Sequence, residues 1–209
     1  MNFELLGIYP ITDTLVSGIS HVEQVEKLIA GGAEIIQLRE KQLSSLDFFN
    51  DAENAIRIAR KHGVRVIIND RVDIALALNA DGVHLGQDDL PPDAARAILG
   101  KNAVIGFSTH TLEQAIKAVK LPIDYIAVGP IFETYTKRNP DAVVSIEGLR
   151  QMRNAIGDFP LVAIGGINAG NILSIFAAGA DSAAMVGAVV ADASMIEKRM
   201  AEFLALCPS

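Results

Sequence analysis

Short apolar runs, often β-branched, recur along the chain, and each is followed by a longer stretch in which apolar positions repeat at helical spacing. The runs occupy residues 7–11, 34–38, 64–68, 82–85, 103–107, 125–128, 161–164 and 182–186, and each predicts a strand. After the first run, Ser20 and Glu23 have the spacing of a capping box; Val22, Val25 and Leu28/Ile29 share one face, and Gly31-Gly32 end the helix. After the second, Ser44 or Ser45 caps a helix whose inner face is predicted as Phe49, Ala52, Ile56 and Ala59. Ile74, Ala75 and Leu78 mark the next helix, and Pro91 and Pro92 suit the first turn of one that ends at Gly100. Thr111 and Gln114 make a second capping box ahead of the face formed by Leu112, Ala115, Ile116 and Val119. Leu149, Met152 and Ile156, then a helix running to Gly179, then Ile196, Met200 and Phe203/Leu204 complete the pattern.

Eight alternations of about 26 residues each predict a (β/α)8 TIM barrel, one catalytic domain over residues 1–209. A doubly wound open sheet is the alternative, and the lack of an expanded first βα turn favours the barrel. No sequence repeat, linker or low-complexity segment is evident.

Half the residues are hydrophobic and Gly and Ala are plentiful, as tightly packed α/β layers require. No apolar run approaches the ~18 residues of a membrane span, and the N-terminus lacks a secretory pattern. Cys207 is the only cysteine, so an intramolecular disulfide is ruled out and a reducing, cytoplasmic compartment is expected. A net charge of −7 argues against general nucleic-acid binding, so cations serving an anionic ligand must be concentrated locally. Assembly into a homo-oligomer is left open.

The polar residues fall where the strands stop. Thr12/Asp13, Gln37 to Lys41, Asn69/Asp70, Asp89, Ser108, Thr134 to Lys137, Gly165/Gly166 and Val186/Gly187 each follow a strand, and a barrel gathers all of them at its C-terminal face. Arg39 and Lys41, two residues apart on an extended segment, point the same way and match a phosphate or pyrophosphate. Asp70 and Asp89 end neighbouring strands and offer hard oxygen ligands for Mg2+, although either could be a helix N-cap, and Asp88 could replace Asp89. Thr134, Tyr135, Thr136 and Lys137 put two hydroxyls and a cation in the longest loop, which could close over a charged substrate or be plain solvated loop. Gly165, Gly166 and Gly187 stand where barrels build phosphate sites from backbone N–H groups. His84 and His110 lack metal-ligand spacing and read as core or rim histidines. Triad spacing, a Walker-type loop and a dinucleotide fingerprint are missing. The residues alone point to a barrel enzyme holding two phosphorylated groups, one through Mg2+.

Eight segments then resemble the thiamine-phosphate synthase family over nearly the whole chain: Tyr9-Pro10-Ile11-Thr12-Asp13, Gln37-Leu38-Arg39-Glu40-Lys41, Asn69-Asp70-Arg71, the run from Asp81 to Asp89, Gly106-Phe107-Ser108-Thr109-His110, Val128-Gly129-Pro130-Ile131-Phe132, Thr134-Tyr135-Thr136-Lys137 and Ala163-Ile164-Gly165-Gly166-Ile167. The resemblance implies a reaction that joins a hydroxymethylpyrimidine diphosphate to a thiazole phosphate, carboxylated or not, releasing pyrophosphate. It implies that Gln37, Arg39, Lys41, Asn69, Ser108 and Lys137 hold the pyrimidine diphosphate, with Leu38 and Glu40 of the same stretch counted as substrate-binding. Arg39, Lys41, Ser108 and Lys137 would act in catalysis. Asp70 and Asp89, not Asp88, would carry Mg2+, and Thr134, Thr136, Gly166, Val186 and Gly187 would hold the thiazole phosphate, with Tyr135 counted as substrate-binding and keeping water from the reacting carbon. One position departs from the family pattern: Gly187 stands where a serine is usual, which predicts weaker thiazole-phosphate binding. A thiazole tautomerase, which needs neither metal nor pyrophosphate, and a non-catalytic phosphate-ligand sensor are the competing readings.

Overall fold

The computed structural model describes residues 7–134 and 141–208. Its elements in chain order are β1 (Ile8–Thr12), α1 (Thr14–Ser17), α2 (His21–Ala30), β2 (Ile35–Leu38), α3 (Ser45–Lys61), β3 (Arg65–Asn69), α4 (Val72–Ala77), β4 (Gly82–Leu85), α5 (Pro92–Leu99), β5 (Val104–Thr109), α6 (Leu112–Ala118), β6 (Tyr125–Val128), α7 (Ser145–Ile156), β7 (Leu161–Ile164), α8 (Ile172–Ala177), β8 (Ser182–Met185), α9 (Gly187–Val190) and α10 (Ile196–Leu204). All neighbouring strands are parallel, and β8 pairs with β1 to close the barrel in simple sequence order. The open-sheet alternative is excluded.

Two apolar layers follow from strand alternation. Outward-facing residues such as Ile36, Leu38, Val66, Ile68, Val83 and Leu85 pack under the helices. Inward-facing Tyr9, Ile11, Ile35, Ile67, Tyr125, Ala127, Val162 and Ala184 form a separate interior core. The large Tyr125 ring fits because Gly106 on the adjacent strand has no side chain: a Cβ there would lie 2.0 Å from Tyr125 Cζ.

A side-chain cap opens α1, α2, α3 and α6. Ser20 and Glu23 form the full capping box of α2, and the Ser44 hydroxyl accepts the Asp47 N–H of α3. At α6 the box is split: Thr111 accepts the Gln114 N–H, but the Gln114 side chain accepts from His110 N, one residue earlier than expected. On α3 Ala52, Ile56 and Ala59 are buried as predicted, but the fully packed aromatic is Phe48, with Phe49 only half-buried.

The N-terminal end of the barrel contains a repeated device. Arg96 on α5 bonds Asp124 at 2.7 Å, and Asp124 accepts the Ile105 N–H at the start of β5. Arg153 on α7 bonds Asp181 at 2.5 Å, and Asp181 accepts the Leu161 N–H at the start of β7. Both arginines also donate to the carbonyl four residues on, Gly100 or Gly157. Asp81 repeats the aspartate half on Val66 N. Alternate strands are therefore locked to their neighbours by the residue just ahead of β4, β6 and β8, a weak internal repeat of two βα units.

Candidate active site

A cavity of about 580 Å3 opens at the C-terminal end of the barrel and is lined by the ends of all eight strands. Its walls include Gln37, Arg39, Lys41, Asn69, Asp70, Asp89, Ser108, Thr134, Gly166, Val186 and Gly187, so most of the sequence-predicted site is gathered in one place. Asp88 lines it too and is exposed. Tyr135, Thr136 and Lys137 lie outside the described residues.

Two predicted contacts do not reach the cavity. Leu38 has outward parity on β2 and is fully buried beneath the helices, so its side chain has no ligand to meet. Glu40 is turned away between Arg39 and Lys41, with its side chain only 2% exposed, and bonds Thr14 and the backbone of residues 41–43. The odd positions of this segment face the cavity and the even ones do not.

On one side of the cavity, charge is arranged in pairs. The Arg39 guanidinium bonds Asp13, whose other oxygen accepts Leu15 and Val16 N–H and so caps α1. The Lys41 ammonium bonds Asp70. Asp70 adopts a left-handed backbone, φ 61°, which aims its carboxylate inward at a conformational cost of order 1–3 kcal/mol. Asp70 caps no helix, and Asp89 accepts Gly86 N–H at 2.7 Å within its own loop, so the N-cap alternative fails for both. The Asp89 pKa is raised, first by burial and further by Asp70, whose carboxylate lies within hydrogen-bonding reach. Two carboxylates held together against their own repulsion form a donor set suited to a hard divalent cation. Among the described lining residues, Asp70, Asp88, Asp89 and Asp141 outnumber Arg39 and Lys41. A diphosphate entering such a surface needs additional positive charge.

The floor is a chain of polar groups. The Gln37 Nε2 donates to Tyr9 Oη at 3.1 Å; Tyr9 and Tyr125 hydroxyls meet at 3.0 Å; Tyr125 Oη lies 2.9 Å from His84 Nδ1; and His84 Nε2 lies 2.9 Å from Ser108 Oγ. Burial lowers the His84 pKa to about 4, so the ring is neutral at physiological pH. With Gln37 donating to Tyr9, an ordering that satisfies every member has Tyr9 donate to Tyr125, Tyr125 to His84 Nδ1, and His84, protonated on Nε2, to Ser108. In that ordering the Ser108 hydroxyl proton is left to donate into the cavity. Beside this chain the Asn69 amide, 8% exposed, lines the cavity and makes no hydrogen bond among the described residues.

Tyr9, Tyr125 and His84 therefore belong to the site that sequence reasoning left in the core. The available signal was strand parity: His84 stands three residues after Asp81, as Gln37 stands three after Glu34, and both face inward. His110, Gln114 and Asp141 also line the wall; His110 Nδ1 donates to Gly129 O at 2.6 Å, and its Nε2 lies 3.6 Å from Asp141.

The opposite wall is bare backbone. Gly165 and Gly166 have φ of 101° and 65°, and a Cβ on Gly166 would come 2.4 Å from Glu133 O. Val186 and Gly187 lead directly into the four-residue α9, and Gly187 and Ala188 complete this side.

A family model described as thiamine monophosphate synthase matches residues 8–189. The chain belongs to that family. It is 46% identical over 185 residues to a thiamine-phosphate synthase of Chloroflexus aurantiacus, covering 88% of this chain and 85% of that protein. A thiamine-phosphate synthase of Clostridium novyi is 45% identical over 184 residues, covering 88% and 90%. Among solved structures, a thiamine phosphate pyrophosphorylase from Pyrococcus furiosus superposes with a TM-score of 0.84 at 33% identity, covering 96% of each chain.

Proposed function

We propose that this chain is a thiamine-phosphate synthase, a transferase that joins a hydroxymethylpyrimidine diphosphate to a thiazole phosphate and releases pyrophosphate. Family membership supports the activity. The observation that carries the reading at the level of residues is the division of one cavity into a charged wall and a bare-backbone wall over a hydrogen-bonding floor.

In this reading the pyrimidine ring lies on the floor beside Gln37, Asn69 and Ser108, and its diphosphate faces Arg39 and Lys41. Lys137 enters from its place in the sequence. Asp70 and Asp89 would hold Mg2+, which when bound neutralises charge on the diphosphate oxygens. The methylene carbon–oxygen bond breaks with its electron pair leaving on pyrophosphate. The 4-amino group of the ring supplies density to the carbon, and the thiazole nitrogen then donates its lone pair there. Arg39, Lys41 and Lys137 stabilise charge where it grows on the leaving group. The Ser108 proton, directed outward by the Tyr9–Tyr125–His84 chain, fixes the orientation of the ring or the departing oxygen. The nitrogen needs no base, because it carries no proton to remove. The thiazole phosphate sits on Gly166, Val186 and Gly187, with Thr134, Tyr135 and Thr136 from the loop.

The organisation of the charged wall disfavours the tautomerase reading, since a proton shift on the thiazole gives Arg39, Lys41, Asp70 and Asp89 nothing to do. Among the described residues no helix is long and apolar enough to cross a membrane, and the substrates are small molecules. A cytoplasmic location fits the lone cysteine. The reading is tested by incubating the protein with both substrates and Mg2+ and following thiamine phosphate by mass. Its formation is expected; a folded sample that binds both substrates and forms none overturns the assignment in favour of a sensor.

A further inference from the structure

We propose that Glu40 is a positioning residue: it touches no ligand and acts by shaping the loop that places Arg39 and Lys41. Its Oε1 accepts three consecutive backbone N–H groups, from Lys41 at 2.7 Å, Gln42 at 2.5 Å and Leu43 at 3.0 Å. Its Oε2 accepts the Thr14 hydroxyl at 2.6 Å and faces His21 Nε2 at 3.3 Å. His21 is itself fully buried, with Nδ1 2.7 Å from Thr12 Oγ1. A neutral His21 with its proton on Nε2 donates to Glu40, while the single Thr12 hydroxyl proton is shared between His21 Nδ1 and Gln37 O at 3.2 Å. The carboxylate is thus clamped from α1 and α2 on one side and grips the loop on the other. Burial opposes its charge, but the bonds from Thr14, Gln42 and Leu43 outweigh that effect and hold its pKa at about 2.

The geometric result lies on either side of Glu40. With the backbone of residues 41–43 wound around one oxygen, the flanking side chains are forced to the opposite face, where Arg39 bonds Asp13 and Lys41 bonds Asp70. Lys41 is half exposed, and among the described residues its ammonium has a single partner, Asp70, so the loop backbone decides where it stands. Glu40 reads in the sequence as part of the binding stretch. Its partners make it the anchor of that stretch.

The inference rests on the diphosphate-binding reading of Arg39 and Lys41, and the test separates the two. Glu40→Ala should expose the Lys41, Gln42 and Leu43 amides to faster hydrogen exchange. In steady-state assays on the full chain it should raise KM for the pyrimidine diphosphate by about 10- to 100-fold, the scale expected when a binding group shifts by about 1 Å. KM for the thiazole phosphate should stay within about threefold. Glu40→Gln should recover most of the loss, because a carboxamide oxygen can still accept the backbone N–H groups while its NH2 faces Thr14 and a His21 of the other tautomer. A Gln variant as impaired as Ala would mean that Glu40 acts through its charge on the ligand or metal, and would overturn the proposal. So would accelerated exchange at residues 41–43 with an unchanged diphosphate KM. Unaltered exchange in Glu40→Ala refutes the anchor itself, independently of any activity. Should the Ala variant not fold, Thr14→Val removes one of the five bonds and should show the same two effects in reduced form. If the wild type shows no pyrophosphate release while the exchange result holds, it is the functional reading that fails.

Discussion

Replacing Tyr125 by phenylalanine takes one oxygen out of the middle of the chain between Gln37 and Ser108 and leaves the ring's packing intact. Tyr9 then loses the acceptor for its proton, and His84 Nδ1 loses its donor. Tyr9 and Tyr125 are almost fully buried and His84 is 7% exposed, so water does not readily replace the missing partner. Each stranded group costs about 1–3 kcal/mol, and the pair together about 2–6 kcal/mol. For a chain of this size that is a fall in Tm of roughly 4–24 °C. Without that hydroxyl nothing fixes the His84 tautomer, since Nδ1 is unpaired with or without a proton; in the Nδ1-protonated form Nε2 accepts from Ser108, and the Ser108 proton turns away from the cavity. Losing one donor on the substrate is worth about tenfold in kcat/KM for the pyrimidine diphosphate. Tyr9→Phe is the control. It costs similar stability, because Gln37 Nε2 loses its acceptor, but His84 Nδ1 keeps the Tyr125 hydroxyl as its partner, so the kinetic defect should be smaller. Thermal melts and steady-state kinetics on the two variants check this. Equal kinetic defects in Tyr9→Phe and Tyr125→Phe, or a Tyr125→Phe enzyme with normal kcat/KM, would refute the one-way ordering.

Asp89→Ala should abolish Mg2+-dependent turnover and leave Tm within a few degrees, since Asp89 caps no helix; a large fall in Tm with turnover retained would make it a structural residue. Gly187→Ser should tighten thiazole-phosphate binding, because the backbone at the start of α9 is helical and accepts serine, and the new hydroxyl adds a donor; an affinity equal to that of wild type, read by calorimetry, would make the hydroxyl irrelevant. His84 should give stability a pH dependence. Its folded pKa, near 4, lies below the usual 6.5, so the unfolded chain binds more protons between those values and stability is lost as pH falls from 6.5 towards 4. The full effect is roughly 3 kcal/mol, and urea melts across that range should show it in the wild type and not in His84→Gln.

Much of the fold is legible in the sequence because eight strands of the right period, stopped by Gly and by charge, leave few ways to close a sheet. The short helices α1 and α9 are not legible, since four residues carry no periodicity, and Asp13, the cap of α1, equally suits a strand end. The charged wall is readable because Arg39, Lys41, Asp70 and Asp89 all follow strands. The floor is not, because Tyr9, His84 and Tyr125 sit inside strands, where aromatic and imidazole rings usually mean packing. Only the closed barrel brings Tyr125 on β6 next to Tyr9 on β1 and His84 on β4. Leu38 and Glu40 mislead in the opposite way: they stand between ligand-facing residues, and strand parity turns both away from the cavity.

Pyrophosphate release tests the synthase assignment most directly. Mixing the protein with the pyrimidine diphosphate and the thiazole phosphate should liberate one pyrophosphate per thiamine phosphate formed, and EDTA should stop it. Asp70→Asn should reduce it strongly even with Mg2+ in excess. Release that continues undiminished in EDTA and in Asp70→Asn would contradict the assignment of Asp70 and Asp89 to a metal. No release from folded, substrate-bound protein would contradict the synthase itself.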